Sequence, residues 1–335
     1  MRTLAARRRT TAIFALLIAA SIGMLLLALM LGERTFTPGE VLRALTGRAD
    51  DPLTELYVLT WRLPRALAAL IVGALLGVSG AMFQTLTRNP LGSPDIIGFT
   101  TGAHTGGLIV LILVGSSYAA VAGGAVAGGL ATALAVMLLA RRGRTSGFRL
   151  IIVGIALTSM LASLDTYLVL TADLDIAMVA SVWGAGSFNG VAWEYAAPSL
   201  AVGLVLLALA ALLARPLAQL DLGDDLAEAI GARPERTRVL TILLGVALVA
   251  VTVTVAGPIA FLALAAPQIA RRLIRAEGTP MLPAALVGAP LLLAADLVAQ
   301  HAFGATSLPV GVVTVSLGGI YLLILVARER RKGTL

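Results

Sequence analysis

The sequence predicts an all-α polytopic membrane protein of about ten transmembrane helices, and three observations lead there. The 335 residues are 59% hydrophobic and 13% charged, with a mean hydropathy of +0.95, whereas a soluble globular chain carries roughly 25% charged residues. Apolar runs recur from one end of the chain to the other, near the ~20 residues that a helix needs to cross the hydrocarbon core. Arginines gather where short connectors meet those runs, so the net charge of +7 reads as a membrane-topology signal and not as a nucleic-acid surface. Little sequence is left for a soluble unit, and residues 1–335 read as a single transmembrane domain.

The runs fall at about 11–31, 63–83, 95–114, 118–140, 149–171, 197–214, 239–257, 259–270, 282–302 and 308–327, with breaks at Arg clusters, Pro or Gly. The first follows Arg2, Arg7, Arg8 and Arg9. It is longer than a signal-peptide core and no small-residue cleavage site follows, so it reads as a retained span. The run at 259–270 is short and reads as a partial or tilted helix. An even number of spans puts both termini on one side. With that side cytoplasmic, 20 of the 25 basic residues lie inside, and Arg34, Arg43, Arg48, Arg62 and Arg65 lie outside. The expectation is a multi-pass protein of the cytoplasmic (inner) membrane. Its longest outside segments are 32–61 and 172–196, and its longest inside segment is 215–238.

Glycines inside the runs, among them Gly73, Gly77 and Gly80, then Gly123, Gly124, Gly128 and Gly129, recur at spacings that let helix backbones approach in lipid. Tight bundle packing is the first reading and pore lining the second. Gly80-Ala81-Met82-Phe83 with Pro90, and Gly257-Pro258-Ile259-Ala260 with Pro267, share an offset of 177 residues. Their spans point in opposite directions, a faint sign of inverted repeats.

Several chemistries are missing. There is no cysteine, and His104 and His301 are the only imidazoles, so neither a thiolate site nor a histidine-rich metal site is available. The lone lysine is Lys332 and no G-x-x-x-x-G-K-[ST] occurs, so the chain cannot build a phosphate-cradling loop. No catalytic residue and no resident cofactor are expected. Asp95, Asp165 and Asp296 are the acids at or near membrane depth, where an ionisable group is a functional candidate.

Trp61-Arg62-Leu63-Pro64-Arg65 puts two guanidinium groups on one face of a helix start. They suit interfacial anchoring, or bidentate capture of a partner's carboxylates. Gln84-Thr85-Leu86-Thr87-Arg88-Asn89-Pro90-Leu91-Gly92 is a polar turn in which Pro90 disfavours helix at Asn89. Residues 220–234 read as a short amphipathic helix, with Leu222, Leu226, Ala229 and Ile230 on one side and Asp225 and Glu228 on the other, stopped by Gly231 and Pro234. It is either a solvated connector or a helix that contacts a partner.

These stretches, with Leu222-Gly223, Ala229-Ile230-Gly231, Gly257-Pro258-Ile259-Ala260-Phe261, Ala266-Pro267 and Leu308-Pro309-Val310-Gly311, resemble in order the motifs of FecCD-like permeases. Those are membrane subunits of ABC importers for iron-siderophores, haem and cobalamin. The resemblance covers about residues 55–328 and implies the type II importer permease fold. It also implies a second permease protomer, identical or paralogous, around a central path. The implied partners are cytoplasmic ATPase subunits, which carry ATP and Mg, and a periplasmic or lipid-anchored substrate-binding protein; nucleic acid is not among them.

Matched residue by residue, Arg62 and Arg65 look like the arginines that dock the binding protein, and Asn89 and Leu91 resemble the cytoplasmic gate. Residues 221–233 resemble the helices that sit in the ATPase clefts and couple them, with Leu222, Gly223, Asp224, Leu226, Glu228, Ala229, Ile230, Gly231 and Arg233 in the matching stretch. On that reading Leu222, Leu226 and Ile230 are buried in the ATPase, while Asp224 and Glu228 face basic groups at its rim. Two positions depart from the family's pattern: Gln268, where the family usually has His, and Gln300, where many members carry Arg. The implied function is inward transport of a metal chelate, an iron-siderophore first, by alternating access. The rivals are an ion-gradient-driven secondary transporter and, more distantly, an intramembrane hydrolase.

Overall fold

The computed structural model describes residues 4–140, 147–275, 278, 280–302 and 307–331, and among these the regular structure is entirely helical. Arg2, Arg141, Arg142, Arg144 and Lys332, which the topology reading counts on the inside, lie outside the described residues. Helix α1 (Leu4–Met30) leads to α2 (Pro38–Leu45) and α3 (Pro52–Glu55). A π-helical turn, Leu56–Arg62, then runs directly into α4 (Leu63–Thr87). There follow α5 (Phe99–Leu113), α6 (Tyr118–Ala140), α7 (Gly147–Thr171), α8 (Leu174–Gly184), α9 (Trp193–Leu220) and α10 (Asp224–Ala229). The last four are α11 (Pro234–Ala256), α12 (Leu262–Ile274), α13 (Met281–His301) and α14 (Val310–Arg331). Seven of the described helices are long and apolar enough to cross a membrane.

Helix α4 is the centre of the bundle, packed by α9, α11, α12 and α13. Val72, Leu75, Leu76, Met82 and Phe83 are fully buried along it. Its glycines explain how the neighbours come so close. A Cβ at Gly73 would run into the Gly288 carbonyl of α13, and one at Gly80 into the Ala263 carbonyl of α12. The α5–α6 crossing repeats the device with Gly102 and Gly106 against Gly124 and Gly128. Packing of small residues is what joins apolar helices in lipid, where water exclusion supplies no drive between them. Of the glycines singled out in the sequence, Gly123 faces open space and the others face protein.

The 177-residue pairing of Gly80 with Gly257 fails in the structure. Gly80 lies inside α4, whereas Gly257 (φ 69°) ends α11; Pro90 sits in a turn and Pro267 inside α12. A repeat is nevertheless present at an offset of 163. Phe99 and Tyr118 start α5 and α6 as Leu262 and Met281 start α12 and α13. The residues before α5 and α12, Gly98 and Phe261, are both left-handed, with φ of 89° and 66°. Helix lengths of 25, 15 and 23 residues for α4–α6 are matched by 23, 13 and 21 for α11–α13. Helix α11 begins at the end of the bundle where α4 finishes, because Asp224 meets both Arg88, just past α4, and Arg238, early in α11. The two units are therefore inverted, and each contains a short helix that starts at interior depth after a non-helical stretch, a construction transporters use.

Three of the departures from the expected boundaries have a visible local cause. The run at 95–114 becomes helical only at Phe99, since Pro94 and left-handed Gly98 interrupt it. Helix α9 continues past Pro216 to Leu220, because Leu217 and Leu220 are buried and hold its last turn against the body. The stretch 172–196, expected as an outside segment, contains α8, an 11-residue apolar helix packed on α5 and α7. At ~1.5 Å per residue it is too short to span, and so left no transmembrane signature.

Candidate functional site

The expected functional residues fall at the two ends of α4. At its start, Arg62 and Arg65 share a cavity of about 160 Å³ with Trp61, Asp296 and Gln300, but they are engaged differently. Arg62 closes the π-helical turn and donates from Nη1 to the Leu29 carbonyl (2.8 Å) and from Nη2 to that of Arg34. Its guanidinium stands over the Phe36 ring, 4.9 Å from the centroid. It thus ties α1 and the α2 region to α4. Arg65 instead grips Asp296 of α13, with Nε to Oδ2 at 2.9 Å and Nη2 to Oδ1 at 2.8 Å. Its Nη1 donates to Asn189 Oδ1 (2.9 Å), and Gln300 Nε2 adds a further bond to Asp296 Oδ2 at 2.8 Å. The Asp296 side chain is 1% exposed. The two arginines read from sequence as interfacial anchors or a docking pair are both engaged within the chain, Arg65 with a buried carboxylate. Gln300, the departure from the family's Arg, is that carboxylate's third donor.

At the far end of α4, Arg88 caps the helix in a left-handed conformation (φ 50°, ψ 34°). The turn that follows is organised by Asn89, whose Oδ1 accepts from Leu91 N–H at 2.9 Å, leaving Leu91 exposed. Gln268 of α12 reaches across to hold it, donating from Nε2 to Gln84 Oε1 (2.9 Å) and to the Pro90 carbonyl (3.2 Å). Gln84 Nε2 in turn donates to the Leu264 carbonyl at 3.0 Å. This gives Gln268, unexplained in sequence, a job: it ties the turn to α12, and Gln84 is buried at 1% exposure to complete the network.

Beside this turn lies α10. It is shorter than expected, Asp224–Ala229, and it rests on the body through Ala227, which is fully buried. Leu222, Leu226 and Ile230 point away and are 57%, 59% and 51% exposed. Ala229, Glu228, Gly231 and Arg233 are exposed with them. Gly223 and Gly231 take positive φ of 99° and 85° at the two bends. Asp224 corrects the expectation that it faces a partner's basic groups. It accepts twice from Arg238 Nη2, both at 2.7 Å, and once from Arg88 Nη2 at 3.1 Å. The Arg238 hydrogen bond, ahead of the charges of Arg238 and Arg88, holds its carboxyl below the usual carboxylate range. Burial pushes the neighbouring Asp221 the other way, against the opposing charges of Arg271 and Arg88.

Exposed Leu222, Leu226 and Ile230 along a short acidic helix, a polar turn beside it and an inverted helical repeat suit a transport protein, and comparison with known proteins identifies the family. A family model for the FecCD transport family matches residues 16–328. The chain belongs to the FecCD transport family. The ferric enterobactin transport system permease protein FepG of Escherichia coli (strain K12) is 49% identical over 317 residues, 95% of this chain and 96% of that protein. The vitamin B12 import system permease protein BtuC of Escherichia coli O9:H4 (strain HS) is 36% identical, with 92% of each chain covered. A solved inward-facing structure of a metal-chelate type ABC transporter superposes with a TM-score of 0.84 at 28% identity, covering 95% of this chain and 99% of that one. The FecCD chain is thus a multi-pass membrane transport component with the fold of that transporter's chain.

One constellation in this FecCD chain escaped the sequence reading. Asp165 of α7, read there as an acid near membrane depth, has its Oδ2 3.0 Å from His104 Nδ1 of α5, within hydrogen-bonding distance. The His104 ring lies against Trp183 of α8, 4.9 Å between centroids. The pair pins α7 to α5 under α8. No local signal reveals it, since the partners are 61 residues apart and one of them touches a helix that was not expected.

Proposed function

We propose that this FecCD chain is the permease subunit of an ATP-driven importer that carries a metal chelate, an iron-siderophore, inward across the cytoplasmic membrane by alternating access. The observation that carries the reading is α10: its buried Ala227 fixes it to the body while Leu222, Leu226 and Ile230 face out. An apolar row at the end of a bundle whose connectors are rich in arginine is a surface for a protein partner. A cytoplasmic ATPase is the partner that fits, because the chain has no phosphate-cradling loop of its own. The positive-inside excess, 20 of 25 basic residues, puts the Arg88 end and both termini in the cytoplasm. The Arg62 end then faces a periplasmic or lipid-anchored binding protein, and a second permease protomer completes the path.

The named relatives support the cargo class, since FepG is a ferric enterobactin permease and BtuC a vitamin B12 permease. The greater identity to FepG favours the siderophore. Of the acids an ion-gradient mechanism could draw on, Asp296 is held by Arg65 and Asp165 by His104, which leaves Asp95, bonded to Thr100 at 2.6 Å. The test is co-purification with the partner ATPases: the wild-type chain should retain them through detergent extraction and Leu226→Asp should not. Equal retention by both returns α10 to a solvated connector.

A further inference from the structure

Resting on that coupling reading, we infer that Arg88 is the positioning residue that carries movement of α10 into the Asn89–Leu91 turn. The residue after an α-helix is commonly left-handed, and glycine is the usual occupant because a Cβ disfavours that conformation. Arg88 occupies it at φ 50°, so something about the side chain offsets the strain of the backbone. What the side chain does is specific. Its Nη2 donates to the Leu220 carbonyl at the end of α9 (2.7 Å) and to Asp224 Oδ1 at the start of α10 (3.1 Å), contacts 132 and 136 residues away in sequence. One guanidinium thus spans the α9–α10 junction, while the backbone of the same residue sets the direction of the turn through Asn89.

The other fixed points make the linkage a lever. Asp224 is anchored to α11 by Arg238, and the turn is anchored to α12 by Gln268. Between them, Arg88 connects α10 to the turn directly. The contact is half exposed, with the Arg88 side chain at 49%, and such an ion pair adds little to stability. Its value is geometric: displacing α10 releases the guanidinium, and the residue before Asn89 is then left in a strained conformation without its tie.

Two substitutions cut the linkage from opposite sides. Arg88→Gly keeps the left-handed backbone accessible and removes the guanidinium alone; Asp224→Asn keeps the backbone of Arg88 untouched and removes the charged acceptor of both Arg88 and Arg238. Each is reconstituted with the ATPases and the binding protein, and uptake of a ferric siderophore is measured per ATP hydrolysed. Each should lower that ratio at least about fivefold, the lower end of an inter-site coupling, and the double variant should fall no further than the worse single. Crosslinking of Leu91→Cys between protomers should lose its dependence on nucleotide in both. A wild-type ratio in Arg88→Gly, additive losses in the double variant, or failure of Arg88→Gly to assemble would make Arg88 a helix cap and overturn the inference. The coupling reading is judged separately, by ATPase retention: if Leu226→Asp keeps the ATPases, that reading falls and takes this one with it.

Discussion

Arg65 and Asp296 are joined by two hydrogen bonds of 2.9 and 2.8 Å across 231 residues of sequence, and they lock α4 to α13 at the Arg62 end of the bundle. Asp296 is 1% exposed. Removing one member of a buried ion pair costs about 3–5 kcal/mol, because the other charge stays behind uncompensated. Arg65→Ala should therefore lower the detergent melting temperature and folded yield sharply, and Arg65→Glu more so, whereas Asp296→Asn with Arg65→Gln should recover much of the loss. Arg62→Ala gives up hydrogen bonds to two backbone carbonyls and no ion pair, and should melt closer to wild type. Equal melting losses for the two alanine variants would show that the Arg65 pair is not a structural lock.

The His104–Asp165 pair should behave as a unit. Either single change, His104→Ala or Asp165→Ala, orphans a polar group at membrane depth, and contacting residues typically couple by about 0.5–3 kcal/mol. Thermal unfolding of the two singles and the double closes the cycle. The account expects a double variant clearly more stable than the sum of the single losses; simple additivity would mean that the 3.0 Å contact does not organise α5 and α7.

Helix α10 has an inner and an outer face that should fail differently. Ala227 has no exposed surface, so Ala227→Leu overpacks the contact with α9 and α11, at a cost of about 1–3 kcal/mol. It should loosen the segment in the isolated chain. Leu222→Ala and Leu226→Ala remove exposed groups and should leave melting unchanged while weakening retention of the ATPases. If melting falls equally for all three, the leucines belong to the fold and not to a partner surface.

Asp224 and Asp221 set the pH response of this segment, with opposite signs. Asp224 has its folded pKa held below its ordinary 3.8 by Arg238. Its contribution is present above the unfolded value and is lost only as pH falls through the lower folded one. Asp221 is raised by burial, so its charged form disfavours the fold and protonation relieves it. A spin label on Leu222→Cys should therefore report unchanged mobility from neutral pH down to about pH 4, with loosening below. In Asp224→Asn the label should be mobile throughout. A transition near neutral pH in the otherwise unaltered chain would contradict the assignment.

The sequence made the class legible because lipid imposes the simplest of patterns: hydrocarbon admits only self-satisfied backbones, in helices or closed barrels, and long apolar runs mark the helices. It also marked the polar turn at Asn89–Leu91 and the 222–231 segment as departures from plain spans, and the structure brings the two together at the Arg88 end of α4. What escaped it shares one cause. Asp296 with Arg65, Asp165 with His104, Gln268 with Gln84 and Asp224 with Arg88 are contacts between residues 61 to 231 positions apart, and no local period encodes them. Helix α8 was missed for a different reason: its 11 mostly apolar residues suit neither a span nor a polar loop. The repeat was misregistered because glycine and proline recur for packing as well as for symmetry, whereas the true offset shows in the positive-φ pairs Gly98 with Phe261 and Gly115 with Gly278.

The central claim is that this chain passes a metal chelate inward using energy released on partner subunits, received through α10. The direct measurement is uptake of a radiolabelled ferric siderophore into proteoliposomes that contain the chain, its second protomer, the ATPases and the binding protein. The account predicts uptake that requires ATP, stops with vanadate, persists with an uncoupler and is lost with Leu226→Asp. Uptake that proceeds without ATP and collapses with the uncoupler would contradict it.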